Sequence, residues 1–131
     1  MLNTLSCKPI GYIHSPYKDS NNTPRYYNVE PEVEAILEME EEFIEGIKSM
    51  EPGEKYMVLF WFHKSEGYDL TVRIHGDGPL KGVFSSHSPN RPNPIGVSII
   101  TVTKIEGNKI HFTGVDMLDG TPVLDIKSGR I

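Results

Sequence analysis

The sequence predicts an all-β protein, mainly antiparallel, with one short helix. Three observations lead there. Apolar and polar residues alternate in short runs such as Leu70-Thr71-Val72-Arg73-Ile74, the period of a strand with one buried face. Turn-forming residues separate the runs, as in His75-Gly76-Asp77-Gly78-Pro79 and Glu106-Gly107-Asn108; Gly and Asn accept positive φ and Pro presets its own. One stretch, Glu40 to Met50, instead spaces Phe43, Ile44 and Ile47 as a helix does, with Met50 one turn on. At 131 residues the chain is expected to form one domain, 1–131, around a single core.

Taken in order, Pro9 to His14 reads as a strand that Ser15-Pro16 ends. Lys18 to Arg25 is polar and reads as a loop. Val29 to Glu38 alternates as a strand whose start Pro31 demotes to an edge. The helix expected over Glu40 to Met50 carries its acidic residues at the start, where they suit the helix dipole, and Pro52-Gly53 stops it. Tyr56 to Phe62 is almost continuously apolar, which predicts burial on both faces, against the helix or at a subunit contact. Leu70 to Ile74 follows a turn at Ser65 to Asp69. Ile95 to Ile105 resumes alternation with Val97, Ile99 and Thr101 on one face, and Lys109 to Thr113 is its hairpin partner. Gly120-Thr121-Pro122 forces a turn before a last strand at Val123 to Ile126.

Composition narrows the function classes. No apolar run is long enough to span a membrane, and the N-terminus lacks a basic region followed by an apolar core, so a cytoplasmic setting is expected. The single cysteine, Cys7, excludes an internal disulfide and a multi-cysteine zinc site. A net charge of −5 argues against a generic nucleic-acid binder. That charge is uneven: residues 1–54 hold 4 Lys/Arg against 11 Asp/Glu, and residues 55–131 hold 9 against 7. RNA binding would need a local basic face in the second part.

Two dense stretches carry the chemistry. Ser85 to Ser98 holds Pro89, Pro92 and Pro94, three prolines in six residues, so Ser88, Arg91 and Asn93 are kept extended or in turns. A loop this stiff loses little entropy when its hydroxyl, imidazole, amide and guanidinium groups meet a ligand. About twenty residues on, Asp116, Asp119 and Asp125 bracket the second stretch. Three carboxylates could suit magnesium, but no metal is expected, because Asp119 beside a glycine equally suits a bond to its own backbone. No glycine-rich dinucleotide loop, phosphate loop or serine elbow is present.

The order GVFSSHSPNRPNPIGVS, then GVDMLDGTPVLDIK, resembles the signature of the TsaA-like, or TrmO-like, methyltransferase family. Ile10 to Lys18 and Trp61-Phe62-His63 extend the resemblance over nearly the whole chain. It implies a small closed or partly open β-barrel, unrelated to the Rossmann type, forming a homodimer with the cofactor near the subunit interface. It implies S-adenosylmethionine as methyl donor and N6 of threonylcarbamoyl-adenosine beside the tRNA anticodon as acceptor. A methyltransferase of a small-molecule acceptor and a non-catalytic S-adenosylmethionine-binding regulatory module are the alternatives.

Site roles follow from the same resemblance. Phe84, Ser85, Ser86, His87, Ser88 and Arg91 on the proline stretch are expected to bind the cofactor, with Leu118, Asp119, Thr121 and Pro122 walling its adenine. Arg25, Tyr26 and His63 are expected at the substrate. His63, Asp119 and Asp125 are candidates for removing a proton from the acceptor nitrogen. One departure stands out: His87 occupies a position where the family usually has Arg, replacing a permanently charged planar fork by a smaller group that titrates near neutral pH.

Overall fold

The computed structural model describes residues 3–130. Strands β1 (Gly11–His14), β2 (Glu34–Met39), β3 (Lys55–Trp61), β4 (Thr71–Arg73), β5 (Leu80–Gly82), β6 (Ile95–Glu106), β7 (Lys109–Thr113) and β8 (Pro122–Ser128) follow one another, with 3₁₀ helices at Glu41–Ile47 and Val83–Ser85. Six strands close into a barrel in the order β1-β2-β7-β6-β3-β8. The ring is sealed by β8 returning to β1, where Gly11 faces Val123 and Tyr12 faces Pro122. Every pairing is antiparallel. The β4–β5 pair stands apart as a two-stranded ribbon.

Period-two alternation fills the barrel. Ile13, Leu37, Val58, Phe60, Ile100, Phe112 and Val123 are buried inside it, each worth roughly 1.5–3 kcal/mol relative to exposure. Gly96 is inside for steric reasons: a Cβ there would stand 2.4 Å from the Phe60 ring and 2.7 Å from Phe62. On β6 the inward set is Gly96, Ser98, Ile100 and Val102, which turns Ile95, Val97 and Ile99 outward. The outward residues of β3 lie across from them: Met57 faces Ile99, Leu59 faces Val97, and Trp61 faces Ile95. The expected double-sided burial of β3 is therefore half met. Val58 and Phe60 are buried inside, while Met57, Leu59 and Trp61 stay half-buried on the outer wall.

Several boundaries differ from expectation. β2 starts at Glu34 rather than Val29, because Pro31 and the turn around it cannot join a ladder. The expected helix is a 3₁₀ helix, with Phe43 N–H donating to Glu40 O and Met50 N–H to Ile47 O. Gly46 weakens an α-helix interior, and Glu40 makes no side-chain cap. Ile47 and Met50, three residues apart, still pack on the core as the tighter period allows. The strand at Leu70 to Ile74 shrinks to Thr71–Arg73 and pairs with Leu80–Gly82 around the expected turn. In that turn His75 has φ 56° and Gly76 φ 87°, so a non-glycine residue is held in a costly conformation.

Candidate active site

A cleft of about 1030 Å³ opens between five segments: the loop before β2, the end of β3, the β4–β5 ribbon, the proline loop and the bend between β7 and β8. The proline loop is braced as well as prolyl-stiffened. Phe62 N–H donates to Pro94 O at 2.8 Å, pinning the loop to the strand end that carries His63. The Ser65 hydroxyl donates to Pro89 O at 2.9 Å. Arg91 Nη1 donates to Ser86 O at 3.0 Å and Ser88 O at 3.1 Å, and the Ser86 hydroxyl to Val83 O at 2.7 Å. Part of the Arg91 guanidinium thus holds the loop's own carbonyls, and two of its five N–H donors at most are committed there.

The bend divides its side chains. Val115 and Met117 are buried in the core. Asp116 between them points the other way, lines the cleft, and accepts a hydrogen bond from the Ser98 hydroxyl on β6. Burial pushes its carboxyl above the usual range, partly offset by Ser98, its own amide and the nearby His87. Three residues on, Asp119 turns away from the cleft. Its Oδ1 accepts the Ser15 N–H at 2.9 Å, and its Oδ2 pairs with Lys18 Nζ at 2.9 Å. Those contacts hold its carboxyl below the usual range. Gly120, at φ 83°, then donates its N–H to Ile13 O at 2.7 Å. The pair fastens the bend to the end of β1.

Four rings form the rim. Tyr26 stacks on His87 with centroids 4.0 Å apart and planes 30° apart. Tyr27 meets Tyr26 edge-on at 5.2 Å and His75 at 4.1 Å. The loop before β2, the ribbon turn and the proline loop are thereby joined through aromatic contacts. The charge of the cleft runs against that of the chain. Arg25, Lys64, Arg73 and Arg91 line it, and Asp116 is the one carboxylate among the described lining residues. Half-buried His63 is pushed below its usual pKa by burial and by Lys64, which favours its neutral form.

Of the residues singled out from sequence, Arg25, Tyr26, His63, Phe84, Ser85, Ser86, His87, Ser88, Arg91, Leu118 and Thr121 all line this cleft. Asp119, Asp125 and Pro122 do not. Asp125 is exposed, accepts the Ile126 N–H at 2.9 Å and pairs with Lys127 at 3.3 Å. Pro122 lies in the barrel wall opposite Tyr12. Within this chain the carboxylates of Asp119 and Asp125, expected from the sequence to remove a proton, are engaged outside this cleft by Ser15, Lys18, the Ile126 amide and Lys127. Sequence reasoning gave no site role to Asp116 or His75, which do line the cleft. For Asp116 a signal existed, since the alternation Val115-Asp116-Met117 sets it opposite two core residues. Among the described residues, no group of three His, Cys, Asp or Glu side chains converges as metal ligands would.

Comparison with known proteins places this geometry. The family described as tRNA-methyltransferase O N-terminal domain matches residues 12–128. A probable S-adenosyl-L-methionine-binding protein of Pyrococcus abyssi is 38% identical over 120 residues, covering 92% of this chain and 65% of the relative. An S-adenosyl-L-methionine-binding protein of Archaeoglobus fulgidus is 37% identical, covering 92% of this chain and 86% of its own length. The mouse tRNA (adenine(37)-N6)-methyltransferase is 35% identical over 94% of this chain but 30% of its own. The crystal structure of TrmO from Pseudomonas aeruginosa superposes with a TM-score of 0.78 at 34% identity, covering 95% of this chain and 55% of that one. The chain thus spans about two thirds of the Pyrococcus relative and about half of the solved structure.

Proposed function

This chain belongs to the tRNA-methyltransferase O N-terminal domain family, and on that premise we propose that it transfers a methyl group from S-adenosylmethionine to N6 of an adenine in tRNA, with threonylcarbamoyl-adenosine beside the anticodon as the acceptor. The observation that carries the reading is that the proline loop and the Asp116–Thr121 bend wall one cleft. Four cations line that cleft on a chain of net charge −5. A local basic face of this kind is what a phosphate-bearing acceptor requires of an acidic protein.

The residues present fit the methyl donor. Phe84 and Leu118 offer apolar surface to an adenine, and the hydroxyls and backbone groups of Ser85 to Ser88 offer hydrogen bonds to its polar ends. When bound, S-adenosylmethionine supplies an electrophilic methyl group on a positively charged sulfur. The protein's part is to hold the acceptor nitrogen in line with that methyl, about 3 Å away. His63, which burial and Lys64 bias toward its neutral form, would hydrogen-bond and orient the acceptor. Arg25 and Arg73 would hold flanking phosphates at the rim.

A homodimer belongs to the same proposal. Ile95, Val97 and Ile99 are 40%, 38% and 46% exposed, and they continue the half-buried Met57, Leu59 and Trp61 into one apolar face. A second copy would cover it. Substituting Val97→Glu should convert a dimer to monomer in analytical ultracentrifugation; an unaltered dimer would exclude this face as the contact. Among the described residues no helix is long and apolar enough to cross a membrane, and the unit 1–131 would act where its tRNA acceptor is, in the cytoplasm.

The direct test is transfer of labelled methyl from S-adenosylmethionine to tRNA with and without threonylcarbamoyl-adenosine. Label entering only the modified tRNA is expected. Equal labelling of both would move the acceptor to plain adenosine, and no labelling with intact donor binding would leave a binding module.

A further inference from the structure

We propose that Asp116 is the general base of the transfer, accepting the proton that the acceptor nitrogen loses, and that Ser98 positions it. The inference rests on the methyl-transfer reading above and deepens it. An N–H nitrogen conjugated to an adenine ring or a carbonyl is a poor nucleophile until its proton begins to leave. The cleft must therefore hold an acceptor for that proton. Asp119 and Asp125 are turned to Ser15, Lys18 and Lys127, and the imidazoles of His87 and His75 pack against Tyr26 and Tyr27 at the rim, which leaves Asp116 and His63 as the candidates in place.

Geometry separates the two. Ser98 Oγ, fixed on β6 inside the barrel wall, donates to one Asp116 oxygen. A hydrogen bond at one oxygen sets the carboxylate's orientation and leaves lone pairs on the other for the cleft. Val115 and Met117, buried on either side, fix the backbone that carries it. Their environments also separate them: burial makes the Asp116 carboxylate more basic than usual, while burial and Lys64 make the His63 imidazole less so. Divergent titration of neighbouring groups is the pattern by which acid and base roles are divided. The titratable group acting on Asp116 from another element is His87 of the proline loop, and the polar partners are Ser98 and its own amide.

The step balances. The acceptor N–H gives its proton to Asp116 as the nitrogen lone pair forms the new N–CH₃ bond. The donor's S–CH₃ bond breaks with its electron pair going to sulfur. A sulfonium cation and a carboxylate anion become a neutral thioether and a neutral carboxylic acid. Charge is thus annihilated in the transition state, and a partly desolvated site favours that over the charge-separated ground state.

The test compares wild type, Asp116→Asn and Ser98→Ala by calorimetric titration with S-adenosylmethionine and by single-turnover methylation across pH. Asp116→Asn should bind the donor within about threefold of wild type, lose roughly 10²-fold or more in rate, and lose the acidic limb of the pH–rate profile. Ser98→Ala should keep the base but shift that limb to higher pH, because the hydroxyl that favours the anion is gone. Donor affinity collapsing in Asp116→Asn would make the residue a donor ligand and overturn the base assignment. A pH limb unchanged in both variants would overturn it as well. Wild type transferring no methyl to any tRNA would sink the underlying reading and this assignment with it; rapid transfer by wild type and Asp116→Asn alike would sink the assignment alone.

Discussion

Asp116 and Asp119 stand three residues apart on one bend, and the protein treats them in opposite ways. Asp116 lies on the cleft side, where burial raises its carboxyl and Ser98 and His87 recover part of the cost. Asp119 lies on the barrel side, where the Ser15 amide and Lys18 stabilise the anion and lower its pKa. Burial makes one carboxylate more ready to take a proton, and its partners make the other less so. Membership of the same motif does not assign the same role. What assigns it is the direction in which alternation and Gly120 turn each side chain.

The widest separation between the two should come from rates. Asp116→Asn should fall by about two orders of magnitude or more in single turnover, while Asp119→Asn should stay within about threefold when compared at equal folded fraction. Comparable losses in both would erase the distinction. Stability should separate them next. Asp119 has a folded pKa below its unfolded one, so its contribution is present above the unfolded pKa near 4 and disappears as pH falls through the lower folded value. Asp119→Asn should therefore lose about 1 kcal/mol, roughly 4 °C in melting temperature, at pH 7. Near pH 2 that gap should close, as thermal unfolding at the two pH values would reveal.

Asp116 has the opposite linkage. Its folded pKa is raised, so its favourable contribution is complete below the unfolded pKa and is lost as pH rises through the folded one. Asp116→Asn should melt no lower than wild type at pH 8, and a marked drop there would mean that the carboxylate is a structural support instead. The smallest effect belongs to Lys18→Ala. Lys18 is 68% exposed in its pair with Asp119, so screening limits the loss to a few tenths of a kcal/mol, about 1 °C. A loss as large as that of Asp119→Asn would shift the clasp from the Ser15 amide to the ion pair.

Much of the fold was readable because strands write their period into the chain. The β6–β7 hairpin at Gly107 and the final strand stand where alternation and turn residues put them, and β3 stands where the apolar run Tyr56 to Phe62 put it. The barrel came from the resemblance instead, since closure depends on β8 meeting β1, more than a hundred residues apart, and no local pattern encodes that contact. The short helix stands where the spacing of Phe43, Ile44 and Ile47 put it, as a 3₁₀ helix, a distinction those positions leave open. At the site, the stiff proline loop announced itself, and eleven of the residues named in advance line the cleft. Asp116 was not set apart from Asp119 and Asp125 because a sequence shows which carboxylates exist but not which of them an amide or lysine engages. His75 was hidden in a turn whose residue types explain the bend but not its place at the rim.

Closure of the six-stranded ring has a further outcome for how the molecule meets its own kind. The ladder at β1 is answered by β8 through Gly11 with Val123 and Tyr12 with Pro122, so the ring, unlike the two-stranded β4–β5 ribbon, has no terminal strand for another chain to lengthen. A second copy on the proposed face would join through side chains lying flat on the staves, as Val97 and Leu59 do, rather than by stitching backbone to backbone. Such a contact is self-limiting. It would end at a pair.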